Sequence, residues 1–256
     1  MIKLSVIIIT FNEADNIRAC LKSVAWADEI IVLDSGSHDN TIDICREFTS
    51  QVYVTDWPGF GLQKNRCLKK AQNEWVLSID ADERVTPELR AAITDAIQQS
   101  HYNAWRIPRK SWFCGKFMRY GGWYPDYVLR LFKRTTACFS NDLVHEQVIV
   151  KQGATGTLGH ALVHYSYIDP DEVLSKLNHY SSAWAQNAWK HGKSASLTQA
   201  LLHELWTFIR LYVFRLGFLD GTYGFIAARY HAQTTYYKYL KLSILYNTNN
   251  KRGSLS

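Results

Sequence analysis

The sequence predicts an α/β fold on a mostly parallel central sheet, followed by a helical extension. Three observations predict it. Over the first 98 residues, four strand-like apolar runs alternate with helix-spaced segments. Three of those runs close on polar and acidic residues, and after residue 169 the text turns helical, aromatic and basic. Successive strand–helix units of this kind are joined by right-handed crossovers, which makes neighbouring strands parallel.

The elements follow in order. Leu4–Thr10 is a continuous β-branched run of the sort buried on both faces of a sheet. Ile17, Cys20, Leu21 and Val24 recur at helical spacing, with Asn12 as the expected cap. Glu29–Asp34 reads as the second strand, and Ile42, Cys45 and Phe48 as the inner face of a second helix. Residues 52–55 form a short third strand, 61–71 a helix and Trp75–Asp80 the fourth strand. Thr86-Pro87 opens a helix by the cap-and-proline pattern, with Leu89, Ile93 and Ile97 on one face. Farther on, 104–108, 127–132 and 161–167 read as strands around an aromatic, glycine-containing loop at 112–124, a place where a ligand pocket can be built. Asp169-Pro170 starts a helix reaching about residue 191, and 194–245 is helical. The expected division is an α/β domain at 1–168 and a helical, basic and aromatic extension at 169–256.

Composition narrows the classes. With 256 residues, 47% hydrophobic and 20% charged, the chain buries a full core and is not disordered. Its net charge of +6 is concentrated: nine Lys/Arg face two acidic residues from Trp189 onward, a net of +7, and the remainder is −1. Such a tail faces anions. Its helices suit the headgroup zone of a membrane, with packing on protein as the alternative, and no recognition motif supports nucleic acid. The five cysteines are dispersed without metal spacing, as expected for reduced thiols, and no signal peptide or spanning segment is legible. The expected location is cytoplasmic, peripheral on a membrane surface.

In an open parallel sheet, ligands bind outside the carboxyl ends of the strands. Those ends here read Thr10-Phe11-Asn12-Glu13, Asp34-Ser35-Gly36-Ser37 and Asp80-Ala81-Asp82-Glu83. Neither a GxGxxG fingerprint nor a GxxxxGK[ST] loop is present, which argues against dinucleotide and P-loop chemistry. Side chains two apart on an extended segment share a side, so Asp80 and Asp82 offer paired carboxylates that suit Mg²⁺ or Mn²⁺. The bland alternative is an acidic turn leading into the Thr86 cap. Asp34 likewise serves a ligand or a turn, and Lys64 and Arg66 serve phosphate or solvent. Arg130, inside an apolar strand, needs an anion: a diphosphate, an acceptor phosphate or Asp126. His164 is either a metal or phosphate ligand or a satisfied core residue.

Four segments in this order and spacing resemble glycosyltransferase family 2, which has the GT-A fold: Ser5-Val-Ile-Ile-Ile-Thr-Phe-Asn-Glu13, Asp34-Ser-Gly-Ser-His-Asp-Asn-Thr41, Lys64-Asn-Arg66 and Ile79-Asp-Ala-Asp82. The resemblance implies that Thr10, Glu13 and Asp34 hold the uridine of a UDP-sugar, with Lys64 near the nucleotide. Asp82 would ligate a divalent metal at the diphosphate, while Asp80 contacts the ribose or a metal-bound water; on the residue reading above, His164 is the expected further metal ligand. Asn12, Ala81 and Arg130 complete the expected nucleotide-sugar set.

The whole chain is similar to a narrower group, the glucosyltransferases that add β-1,4-linked glucose to the inner-core heptose of bacterial lipopolysaccharide. The matching text is Tyr124-Pro-Asp-Tyr-Val-Leu-Arg-Leu-Phe132, Val144-His-Glu146, His164-Tyr-Ser-Tyr167 and Gly217-Phe-Leu-Asp-Gly221. It implies an inverting transfer from UDP-glucose to a lipid-linked glycan, with Glu146 as the catalytic base and Asp142 or Asp126 as substitutes. Other UDP-sugars, a polyprenyl-linked or capsular acceptor, and a non-catalytic nucleotide-sugar scaffold are the competing readings. A nucleotidyltransferase is disfavoured, because no basic, glycine-rich diphosphate loop follows the first strand.

Overall fold

The computed structural model describes residues 3–99, 101–140 and 147–253. Two compact units divide the chain: Met1–Lys110 with Asp126–His164, and Ser111–Pro125 with Tyr165–Ser256. In chain order come β1 (Leu4–Thr10), α1 (Ala14–Val24), β2 (Glu29–Asp34), α2 (Thr41–Arg46), β3 (Val52–Val54), α3 (Phe60–Lys70), β4 (Trp75–Asp80), β5 (Glu83–Arg84) and α4 (Pro87–Ala96). β6 (Tyr102–Phe113), β7 (Lys116–Phe117), β8 (Asp126–Lys133), β9 (Ala137–Phe139), β10 (Val148–Val150), β11 (Ala154–Thr157) and β12 (Leu162–Tyr167) follow.

Every residue of β1 and β2 is buried, and alternation sends their side chains to opposite faces. Leu4, Val6, Ile8, Ile30 and Val32 pack with α1 and α4 through Ile17, Leu21, Leu89 and Ile93. Ile7, Ile9, Ile31 and Leu33 pack on the other side with Cys67 and Leu68 of α3 and with Phe132 and Phe139. Burying each such side chain contributes about 1.5–3 kcal/mol. Two covered faces are what an unbroken apolar run requires.

The strand order among the described residues is β3-β2-β1-β4-β8-β6-β12-β5, with β11 and β7 also paired to β6 and a separate β9–β10 ladder. Pairing is parallel from β3 through β4 and antiparallel from β4 to β8 and from β8 to β6. The chain moves outward from β1 to β3 and then returns to the opposite side of β1 with β4. That reversal is a topological switch point, where a crevice opens at the carboxyl ends of the strands. Registers Thr10↔Asp34 and Ile9↔Asp80 bring the three polar strand ends together at it.

Several expectations are corrected. Asn12 does not cap α1. Glu13 occupies the flanking position without a side-chain cap bond, and Asn12 turns the chain with a left-handed φ of 52°, which asparagine tolerates better than most residues. The strand expected at 104–108 runs on to Phe113, with Arg109 opposite Asp126 and Trp112 opposite Phe117, so some of the expected loop is sheet. Pro108, which lacks an N–H, makes that strand read short in sequence.

The second unit contains α5 (Pro170–Lys190), α6 (Leu197–Ile209) and α7 (Thr222–Gly253). Asp169 caps α5 by accepting from Glu172 N at 2.8 Å, and Ser196 with Gln199 forms a capping box on α6. Phe113, Met118, Val173, Leu177, Ala227 and Tyr230 form its core. A π-helical turn, Arg210–Phe214, and a 3-10 turn, Gly217–Asp220, join α6 to α7. Between them Leu216 takes a left-handed φ of 57°. Gly224 lets the 3-10 turn approach α7: a Cβ there would stand 1.8 Å from Gly217 O. Asp220, buried in this turn, accepts from the backbone N–H groups of Arg119 and Tyr120 at 2.9 and 2.8 Å and from Lys116 Nζ at 3.1 Å. Its carboxyl is held below the usual range because these donors outweigh the opposing effect of burial.

Candidate active site

β2 ends in a buried carboxylate inside its own turn. Asp34 Oδ1 accepts from Gly36 N at 2.8 Å and Ser37 N at 2.7 Å, and Oδ2 accepts from Ser37 Oγ at 2.5 Å. Gly36 has a φ of 87°, which favours glycine there. The turn after β1 is laced to this one: Asn12 N donates to Ser37 Oγ at 2.8 Å, and His38 N donates to Asn12 Oδ1 at 2.8 Å. Glu13 N donates to Thr41 Oγ1 at 2.8 Å, while the Glu13 carboxylate accepts from Asn16 Nδ2 at 2.9 Å. Thr10 is buried, and its Oγ1 has no hydrogen-bond partner among the described residues. Buried hydroxyls are normally satisfied by protein, water or a ligand, so this one takes a partner from outside the described residues.

Asp80 and Asp82 have different surroundings. Asp80 Oδ1 takes Lys64 Nζ at 2.9 Å, and Oδ2 takes the Arg130 guanidinium. Burial works against its charge, yet Arg130 and Lys64 more than offset this and hold the carboxyl well below the ordinary carboxylate range. Arg130 also meets Glu83 Oε1 at 2.7 Å; although burial opposes its charge, Asp80 and Glu83 raise its pKa. Asp126 pairs instead with Arg109 at 2.5 Å. In a strand, residues four apart are about 13 Å apart, out of reach for Arg130 and Asp126 to pair.

Asp82 Oδ2 lies 3.2 Å from His164 Nε2, with side chains 23% and 15% exposed. β12 brings His164 there by pairing it with Glu83 of β5. Among the described residues no group of three His, Cys, Asp or Glu side chains is placed to hold a metal. One oxygen and one nitrogen donor nonetheless fit a Mg²⁺ or Mn²⁺ ion whose other positions go to phosphate and water. The backbone between the carboxylates is fixed as well: Ala81, itself buried, gives its carbonyl to Arg84 at 2.8 Å.

Two contributors had no role assigned from sequence. Gln63 is fully buried and donates to Ser35 Oγ at 3.1 Å and Thr55 Oγ1 at 2.9 Å, fastening α3 to the Asp34 turn. Glu83, also fully buried, accepts from Asp80 N at 2.9 Å and anchors Arg130. A glutamate directly after Asp80-Ala81-Asp82 carries the only sequence signal for it. Glu146 and Asp142 lie outside the described residues. The residues bracketing that segment are joined, Ser140 N donating to Gln147 O at 2.8 Å, and Asn65 of α3 exchanges bonds of 2.9 and 3.0 Å with the Phe139 backbone.

Comparison with known proteins agrees with this arrangement. The family model described as Glycosyl transferase family 2 matches residues 5–145. An uncharacterized glycosyltransferase of Rickettsia prowazekii is 30% identical over 254 residues, spanning 94% of this chain and 87% of that protein. The lipopolysaccharide core biosynthesis glycosyltransferase LpsC of Rhizobium meliloti is 29% identical over 238 residues, spanning 88% and 86%. The crystal structure of S. aureus TarS 1–349 in complex with UDP-GlcNAc has a TM-score of 0.51 at 15% identity, spanning 97% and 92%, and shares the fold. With more than half its length matched by the family model and strand ends arranged around a switch-point crevice, the chain belongs to glycosyl transferase family 2 and has its GT-A fold.

Proposed function

We propose that this glycosyltransferase is a metal-dependent inverting enzyme that moves glucose from UDP-glucose to an inner-core heptose of lipopolysaccharide, at the cytoplasmic face of the inner membrane. The observation that carries the donor half is the contrast between the two carboxylates. Asp80 is already answered by Lys64 and Arg130, whereas Asp82, just past the end of β4, stands with His164. The similarity to LpsC, a lipopolysaccharide core glycosyltransferase matched over most of the chain, supports the acceptor half.

In this mechanism Thr10, Asn12, Glu13 and Asp34 receive the uridine, with Thr10 Oγ1 free to bond to it. Lys64 and Arg130 keep Asp80 ionised and fix the strand end, and Ala81 sets the spacing to Asp82. Mg²⁺ or Mn²⁺ held by Asp82 and His164 would neutralise the charge that grows on departing UDP. Glu146 takes the proton from the attacking heptose hydroxyl. The hydroxyl oxygen bonds to the anomeric carbon while the bond to the UDP oxygen breaks, so a single displacement inverts the centre.

The test is UDP release from a panel of UDP-sugars with Mn²⁺ or Mg²⁺, with and without purified heptose-containing core lipid. The expected result is turnover of UDP-glucose stimulated by the lipid and lost on chelation and in Asp82→Ala. Turnover only with another donor or acceptor overturns the substrate assignment. No binding of any UDP-sugar overturns the mechanism.

A further inference from the structure

We infer that the second unit docks on an anionic lipid surface through the elbow joining α6 to α7, entering one leaflet without crossing it. This deepens the membrane placement proposed above and does not depend on the donor chemistry.

α6 is built inside out. Its buried positions are the small residues Ala200 and Thr207. Several large ones face away: Leu202, Leu205, Trp206, Phe214 and Leu219, on α6 and around the elbow, are 50–66% exposed, while Phe208 and Ile209 are half-buried. The seam between the antiparallel α6 and α7 mixes small, polar and aromatic residues: Ala200, Ala228 and Ala232 are buried, and Phe208 meets Phe225 edge-on at 5.7 Å. Arg229 meets Glu204 at 3.3 Å, Thr207 Oγ1 meets Thr235 Oγ1 at 3.4 Å, and His203 stacks on Tyr239 at 4.1 Å. A helix pair in water turns its apolar stripe inward. Small residues and hydroxyls between helices, with large apolar residues outside, suit a helix pair facing lipid.

Charge selects the occupant. The second unit carries twelve Lys/Arg against five Asp/Glu, net +7, and the first unit is −1. Arg210 and Arg215 are exposed within the elbow itself. Cations set among leucine and aromatic side chains suit anionic headgroups, with the apolar groups sunk into the headgroup zone. Among the described residues no helix is long and apolar enough to cross a membrane, so entry is from one side.

Flotation of the full-length protein with lipid vesicles tests this. Wild type is expected to float with phosphatidylcholine vesicles containing phosphatidylglycerol, less with pure phosphatidylcholine, and less in high salt. Leu202→Ser with Phe214→Ser lowers the bound fraction about tenfold at an unchanged unfolding midpoint. Arg210→Gln with Arg215→Gln removes the preference for anionic vesicles. Wild type that binds neither vesicle, or both double variants floating like wild type, overturns the inference. So does self-associated wild type that the serine pair turns into monomer by analytical ultracentrifugation, since the face then belongs to a second copy. Donor turnover measured on the same preparations separates a failed docking face from a failed active site.

Discussion

Lys64 Nζ lies 2.9 Å from Asp80 Oδ1 with its side chain only 3% exposed, and Arg130 holds the other oxygen of that carboxylate. Two cations thus answer one anion, and Asp82, two residues on, faces His164 instead. On the mechanism proposed above the motif divides its work: Asp80 orders the strand end, and Asp82 would serve the metal.

Substitution should separate the two. Asp82→Ala is expected to lower turnover about 10²- to 10³-fold, the scale for losing one transition-state-stabilising contact. Its stability is expected to fall by only about 1 kcal/mol, the scale of one lost hydrogen bond. Asp80→Asn costs about 3 kcal/mol of stability because it takes a carboxylate charge away from the buried cations Lys64 and Arg130. Steady-state kinetics and urea melts of the two variants provide the comparison.

Arg130→Met leaves Glu83 buried at 0% side-chain exposure, with Arg109 as its remaining cation at 3.6 Å. Breaking one side of such a buried pair costs about 3–5 kcal/mol. The urea midpoint should fall accordingly, and an unchanged midpoint would show that Arg109 compensates.

His231 packs 5.4 Å from Trp123 and 5.0 Å from Tyr230, and burial, then Lys238 and Arg210, lower its pKa from 6.5 to about 4. The folded state keeps the ring neutral where the unfolded chain takes up a proton. Its contribution is therefore fully present above about pH 6.5 and is lost as pH falls toward about 4, by at most about 1.4 kcal/mol per pH unit. Unfolding curves across that window should decline less in His231→Phe than in wild type.

Glycine substitutions probe the elbow. Gly224→Ala puts a methyl 1.8 Å from the Gly217 carbonyl oxygen, whereas Gly159 has nothing within 4 Å. The first should cost about 1–3 kcal/mol or more through forced backbone shifts, and Gly159→Ala should be near neutral. Circular-dichroism melts distinguish them.

Glu146→Gln tests the proposed base directly. The expected outcome is a fall in kcat of about 10²- to 10⁴-fold with UDP-sugar affinity unchanged, read from kinetics and donor titration. A full-rate Glu146→Gln enzyme moves the role to Asp142 or Asp126, and those variants are the next to measure.

Much of the fold was legible because strands covered on both faces appear as unbroken apolar runs. Leu4–Thr10, Glu29–Asp34 and Trp75–Asp80 carry that signal to their last residue, so Thr10, Asp34 and Asp80 were legible as strand ends too. Pairing across the sheet was not. Asp126 is near Arg130 in sequence, yet Arg130 finds Glu83 through the antiparallel arrangement of β4 and β8, and no local pattern encodes that. Gln63 was hidden for a related reason: a polar residue on a helix reads as solvated until the Asp34 turn is packed against it. The exposed leucines of α6 were equally silent, since periodicity reports that a helix is apolar and not which way it faces.

Lys64 and Asn65 are consecutive on α3, one bonded to Asp80 and the other to the Phe139 backbone. An added residue between them would rotate everything beyond it by about 100°, so the two attachments could no longer form together. Surface turns elsewhere can lengthen or shorten over evolutionary time, but this stretch of helix cannot change its residue count without dismantling both attachments. Insertions and deletions among descendants of this chain should therefore avoid it, even where the identities of neighbouring residues drift freely.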